Sequence, residues 1–375
     1  MSIGQEPFTL QEPSWLRFPE TCLRGIGQVD FQNNWLTGVF ILGAIFYNSR
    51  VYGVACIVGV VVATLTAMAL KGDKGLTDAG LFQFSGVLLA IGLVAYLNPN
   101  FTHGTWPSWR LWLFVVLGSA FSAVITAALM AVGERRQMPT FTWPFNLTGW
   151  LFIFSALLLM HLHAGPNIKP AIPVAFHGPT GAYTWTTWYK GVGNGIAEVF
   201  FQDNWKTGYI MAVGLAINSR IGAAMAVLGS AIGVGTAMVL GGQASTIQAG
   251  LFSFNAVLTA MALGGFFFVL NVRGFLYTVF GTVVTTWVWA TVAVAFAPVG
   301  MPAFTGPFCI VATFMILAKW RFGGLVAVPP AEATTPEGNF KRRHQFESLT
   351  PLAEEPQVSL EPTPLAEPEI GSPAE

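Results

Sequence analysis

The segment GIGQVDFQNNWLTG at 25–38 recurs at 195–208 as GIAEVFFQDNWKTG, an offset of 170 residues. The same offset lays Asn48-Ser49-Arg50 on Asn218-Ser219-Arg220 and GLFQFSGVLL (80–89) on GLFSFNAVLT (250–259). MPTFTWPF (138–145) then meets MPAFTGPF (301–308) at an offset of 163, so the second copy is seven residues shorter in between. A register held over that length marks a duplicated unit, and a repeat of this kind constrains architecture before any local propensity is weighed.

Each copy is built for lipid. Apolar runs at 54–70, 111–132, 211–240 and 275–296 are long enough, as helices, to cross a hydrocarbon core of about 30 Å. With 53% hydrophobic and 10% charged residues and a mean hydropathy of +0.59, the chain falls outside soluble composition. The pattern predicts spans at 35–47, 51–70, 81–97, 111–132 and 146–164, then at 205–217, 220–240, 251–270, 274–297 and 306–320. Five per copy is an odd number, so the copies enter the membrane in opposite senses. The expected fold class is an all-α membrane protein, with ten transmembrane helices in two inverted five-helix repeats.

The first span of each copy is short and follows an irregular polar stretch that holds Gln28 or Glu198. Non-helical backbone at membrane depth is tolerated only inside protein or along a watery path. Short or broken segments at matching positions in two halves therefore point to re-entrant pore segments and a solute site near the midplane.

Cytoplasmic loops are rich in Lys and Arg. Placing Lys71, Lys74, Arg135, Arg136, Arg220, Arg273, Lys319 and Arg321 inside puts both termini in the cytoplasm of a cell inner (plasma) membrane, although Arg50, Arg110, Lys169 and Lys190 fall outside. Nine of the 18 acids lie after residue 330, in a stretch rich in Pro, Glu, Ala and Thr that cannot bury enough apolar surface to offset ordering entropy. The expected division is a cytoplasmic segment at 1–20, a first repeat at 21–165, an extracellular connection at 166–194, a second repeat at 195–328 and a disordered cytoplasmic tail at 329–375, dispensable for transport. The first residues carry no basic start, apolar core and cleavage site of a removable signal peptide.

Several chemistries find no residues to carry them. Cys22, Cys56 and Cys309 lack metal-ligand or disulfide spacing, and His161 and His163, two apart, face different directions on a helix, so no metal or cofactor is expected. The sequons at 100–102 and 146–148 sit too close to or inside spans to be used. No basic stripe interleaved with aromatics suggests nucleic acid. A pump needs an ion site, a proton relay or a Gly-rich lysine motif for ATP, and a membrane enzyme needs clustered His, Asp or Ser; neither pattern is present.

The paired MPTFTWPF and MPAFTGPF elements, the paired GLFQFSGVLL and GLFSFNAVLT elements and the GIGQVDF segment resemble the urea transporter family over roughly residues 20–320. The resemblance implies a homotrimer with a pore through each protomer and passive permeation of urea without coupling ions. By motif position, Phe31 and Phe254 would form one aromatic slot and Phe201 with Phe84 the other. Gln28 and Glu198 would contact substrate nitrogen, Thr142 and Thr305 would sit near the midpoint, and Leu88 and Leu258 would line the constriction. Two departures between the copies make the slots chemically unequal: Glu198 stands opposite Gln28, and Ser85 opposite Asn255. A carboxylate at membrane depth costs about 3 kcal/mol or more when ionised, so Glu198 is expected to be protonated or hydrogen-bonded.

Those residue types suit a flat neutral amide. Urea has one strong acceptor and four N–H donors, and each polar group left unpaired costs about 1–3 kcal/mol. Facing rings form a slot narrow in one dimension, while hydroxyls and amides along its edge replace water. Within the same fold the alternatives are ammonia, water or a short amide; an ion-coupled secondary transporter is a separate class, distinguished by dependence of flux on a proton or sodium gradient.

Overall fold

The structure, a computed structural model, describes residues 16–98, 105–159, 161–162, 164–172 and 180–349. The sequon at 100–102, His163 and residues 350–375 lie outside these, as do residues 1–15. The first half runs α1 (Arg17–Gln28), α2 (Trp35–Asn48), α3 (Arg50–Ala69), α4 (Lys74–Asp78), α5 (Phe84–Leu97), α6 (Trp109–Glu134) and α7 (Trp143–Leu158). The second half repeats the order as α8 (Trp185–Ala197), α9 (Trp205–Asn218), α10 (Arg220–Val239), α11 (Ala244–Gln248), α12 (Phe254–Met261), α13 (Val272–Phe296) and α14 (Gly306–Leu317). Two short helices follow, α15 (Pro336–Lys341) and α16 (Arg343–Leu349). Among the described residues the extended structure is one isolated bridge, Phe268 to Ala327.

The same residues start the same helices in both halves. Asn34 and Asn204 cap α2 and α9 by accepting backbone amides of the first turn, and Ser49 and Ser219 do so for α3 and α10. Pro144 and Pro307 occupy the first turns of α7 and α14, where a missing N–H costs nothing. Gly38 and Gly208 permit the closest crossings: a Cβ at either would overlap a backbone carbonyl, that of Leu23 in α1 or of Gly193 in α8. The halves meet along α2 and α9, where the Thr37 hydroxyl donates to the Gly214 carbonyl at 3.0 Å.

Four helices are long and apolar enough to cross a membrane: Arg50–Ala69, Trp109–Glu134, Arg220–Val239 and Val272–Val299. Five shorter apolar helices accompany them. On α6 the exposed side chains Leu113, Leu117, Phe121 and Val124 form an outward apolar face, and Leu276, Phe280 and Trp287 do the same on α13. An apolar face of that extent on two long helices is what lipid covers, so the chain is a multi-pass membrane protein. On the inward face of α13 the polar groups are satisfied locally: Thr278, Thr282 and Thr285 each donate to the carbonyl four residues back.

Two expectations differ from what is observed. The stretches leading to the first span of each copy are not irregular throughout: Gln28 ends α1 and Glu198 caps α8, each of these helices being too short, at about 18–20 Å, to cross alone. The segment from 329, expected to be disordered, is folded through 349. Its polar side chains find backbone partners on the membrane domain, which supply the ordering free energy that its composition alone cannot.

Candidate functional site

The backbone turns sharply where α1 and α8 end. Phe31 has φ 59° and Phe201 φ 60°, the left-handed region that costs a residue with a Cβ about 1–2 kcal/mol. Phe141 and Phe304, inside the paired TF segments before α7 and α14, have φ 46° and 48°. Strain at four phenylalanines in equivalent pairs persists only if the surroundings hold it, and such residues cluster at binding and gating positions. The turn after α1 is held by local bonds: the Gly27 carbonyl accepts from Asp30 and Gln32 amides, and Arg24 joins Glu20 at 2.7 Å and Asn33 at 2.9 Å.

The rings of one half are walled by the other. Phe31 lies 5.2 Å from Phe266, 5.8 Å from Phe267 and 6.1 Å from Phe308, centroid to centroid. Phe201 lies 6.3 Å from Tyr96 and 6.0 Å from Phe145. Tyr96 is the repeat partner of Phe266, and Phe145 that of Phe308. Phe141 against Phe308 at 5.2 Å is likewise returned by Phe304 against Phe145 at 4.7 Å. Polar contacts exchange in the same way, since Asn218 donates to Gln32 at 2.7 Å and Asn48 donates to Gln202 at 3.0 Å.

At the centre the two copies of one residue touch. The Thr142 and Thr305 hydroxyls are 2.6 Å apart, both nearly fully buried. Asn146 donates to the Thr142 carbonyl at 2.8 Å and the Thr305 hydroxyl at 2.9 Å, while its own carbonyl oxygen has no partner. Cys309, which takes the place of Asn146 in the second copy, sits 3.2 Å from the Thr142 hydroxyl.

A cavity of about 1020 Å³ opens beside this centre, lined by Gln28, Phe31, Phe84, Phe141, Thr142 and Phe267 among others. Gln28 is fixed there by its Nε2, which donates to the Ala79 carbonyl at 2.8 Å. That bond ties the end of α1 to the loop that leads into α5, which is why Phe84, the first residue of α5, shares the cavity with Phe31. The expected pairing of Phe31 with Phe254, and of Phe201 with Phe84, does not describe this arrangement. Glu198, Phe201, Phe254, Leu258 and Thr305 do not line the cavity, and neither does Leu88. Leu88 and Leu258 are fully buried in α5 and α12.

The second copy of the α5 start is tied more firmly than the first. Asn255 donates to the Phe304 carbonyl at 3.0 Å and accepts from the Phe308 amide at 3.0 Å. Ser85, its counterpart, is too short for the equivalent bridge and its buried hydroxyl has no partner. Reasoning from sequence missed Tyr96, Phe266 and Phe267 as walls; the signal available was the offset of 170, which sets Tyr96 on Phe266.

A protein-family model described as "Urea transporter" matches residues 20–320. Urea transporter 1 of Ovis aries and of Capra hircus are each 28% identical to the chain over 336 residues, 88% of this chain and 84% of the relative. Urea transporter 1 of Rattus norvegicus is 27% identical over the same share. With both halves, their shared motifs and the central threonines inside the matched region, the chain belongs to the urea transporter family and is a transporter, not an enzyme.

Proposed function

We propose that the chain lets urea pass down its own gradient through a pore within each protomer of a homotrimer in the inner membrane. Support comes from the reciprocal contacts described above. When residue i of one half touches j of the other and their equivalents touch in return, the halves are related by a two-fold operation. For five spans per half that operation lies in the membrane plane, and the repeats are inverted. The path crosses that axis at Thr142 and Thr305, running from the cavity at Gln28, Phe31 and Phe84 to the equivalent region at Glu198, Phe201 and Phe254.

The rings flanking each mouth would admit a planar solute edge-on and reject hydrated ions. The Gln28 amide, the threonine hydroxyls, the Asn146 carbonyl and Glu198 would replace water around it, so the crossing needs no coupled ion. Binding along such a path stays shallow, because a deep well slows exit. Leu88 and Leu258, buried one turn inside α5 and α12, would back the narrow region.

The single observation that carries this reading is the hydroxyl pair of Thr142 and Thr305 at the meeting point of the two aromatic clusters. It is tested by urea efflux from proteoliposomes followed by light scattering. Rates well above empty liposomes and unchanged by a proton or sodium gradient are expected; rates equal to empty liposomes with intact protein present would remove it. Ammonia, water and acetamide run in the same assay rank the alternative solutes.

A further inference from the structure

The helix that carries Phe266 and Phe267 is broken, and the segment after 328 repairs it. In the first half α5 runs unbroken from Phe84 to Leu97. In the second half α12 ends at Met261 and passes into a π-helical turn, Ala262–Phe266, with non-helical backbone at Gly264 and Gly265, the latter at φ 119°. Such a break frees backbone carbonyls that must find donors inside a membrane protein.

Asn339, fully buried, supplies them. Its Nδ2 donates to the carbonyls of Gly265 and Phe266, both at 2.9 Å, and its Oδ1 accepts from the Thr334 amide at 3.1 Å and hydroxyl at 3.0 Å. Pro336 packs where a Cβ at Gly265 would stand. The Val328 amide donates to the Phe267 carbonyl at 2.9 Å. Glu337 anchors the segment at a second place: its carboxylate accepts from the Ser219 hydroxyl at 2.7 Å and the Ile221 amide at 2.8 Å, at the positive end of α10. Phe346, fully buried against Val269 and Val328, holds the far end.

We infer that residues 329–349 are a strap that sets the width of the Phe31 mouth, with Asn339 as a positioning residue for the Phe266 and Phe267 rings that stand against Phe31. The segment also lines the cavity itself, through Pro330, Thr334, Gly338 and Lys341. In the first half the segment after α7 makes shorter equivalents of these contacts at the end of an unbroken α5, the Asn167 Nδ2 donating to the Ala95 carbonyl at 3.0 Å and the Gly165 amide to the Tyr96 carbonyl at 2.7 Å. This inference rests on the reading of Phe31 as part of the solute path.

The test is the ratio of N-methylurea to urea efflux from the same proteoliposomes containing the full chain, a ratio independent of how much protein is active. Asn339→Leu keeps the bulk and removes both donated bonds, and the ratio is expected to rise by about fivefold, the scale of one lost hydrogen bond. Glu337→Gln, which weakens the anchor on α10, is expected to raise it less, and it carries the test if Asn339→Leu does not fold. Arg343→Ala, exposed and away from both anchors, is expected to leave it unchanged. If neither Asn339→Leu nor Glu337→Gln moves the ratio while Phe31→Ala does, the strap does not set the mouth and the inference falls while the slot reading stands. If Phe31→Ala also leaves the ratio unchanged, both fall.

Discussion

The Thr142 and Thr305 hydroxyls lie 2.6 Å apart, and the two residues are one position of the repeat met with itself. A residue that pairs with its own copy sits on the relation between the halves, so the proposed path, which joins two equivalent aromatic clusters, has its midpoint at the pair. Two hydroxyls, the Asn146 amide and the Cys309 sulfur converge there. The centre is thus polar, uncharged and enclosed.

Removing one hydroxyl should therefore act on permeation. Thr142→Val leaves the Thr305 hydroxyl with Asn146 alone and offers the solute one polar group fewer. At about 1 kcal/mol for a net hydrogen bond, urea efflux should fall about fivefold, and Thr142→Ser should recover most of it. Efflux by light scattering checks this; a Thr142→Val protein at the unsubstituted rate would take the pair off the path.

Opening the mouth should relax size selection. Phe31→Ala and Phe84→Ala each remove a ring from the same cavity. Either should raise N-methylurea efflux relative to urea several-fold, with urea itself changed less. An unchanged ratio in both would assign these rings to packing.

The asymmetry of Asn255 and Ser85 gives a stability prediction. Asn255→Ser copies the first-half residue into the second and loses two hydrogen bonds, leaving the Phe304 carbonyl and Phe308 amide without their partner. The cost should be about 2–4 kcal/mol, read as a lower melting temperature in detergent. Equal melting would mean that neighbouring groups take over both bonds.

Glu198→Gln reproduces the side chain that the first copy already carries at Gln28. Urea flux should stay within about threefold, since an amide offers the same edge donors and acceptors without the cost of a charge at depth. Flux measured across pH separates the two side chains: the variant should show the flatter profile, and a dead variant of normal abundance would make the acid itself essential.

Close approach of α8 and α9 is tested by Gly208→Ala. The added methyl would run into the Gly193 carbonyl, so α8 must move away from α9. The variant should lose several kcal/mol, at the upper end for overpacking, seen as aggregation or early melting, whereas Gly43→Ala, with open space around it, should be neutral.

The repeated motifs made the helix order legible because capping, proline and glycine rules act locally: Asn34, Ser49, Pro144 and their copies begin helices in any surroundings. The apolar runs likewise announced the long helices. What could not be read is whatever depends on partners far along the chain. That Phe31 and Phe84 line one cavity follows from Gln28 reaching the carbonyl of Ala79, a contact with no signature in spacing. The fold of residues 329–349 was hidden for a similar reason: Glu337 and Asn339 look like solvated polar residues until Ser219 and Gly265, 118 and 74 positions away, are brought to them.

Neither half owns a complete aromatic cage: Phe31 leans on rings from the second half and Phe201 on rings from the first. A half produced by itself would present an open flank of phenylalanines and an unmatched threonine, and could close them only by finding another half. Joining the two in one polypeptide thus fixes stoichiometry at one to one, and it freed each copy to diverge, as Glu198 and the strap beside Gly265 have done, without having to remain compatible with itself.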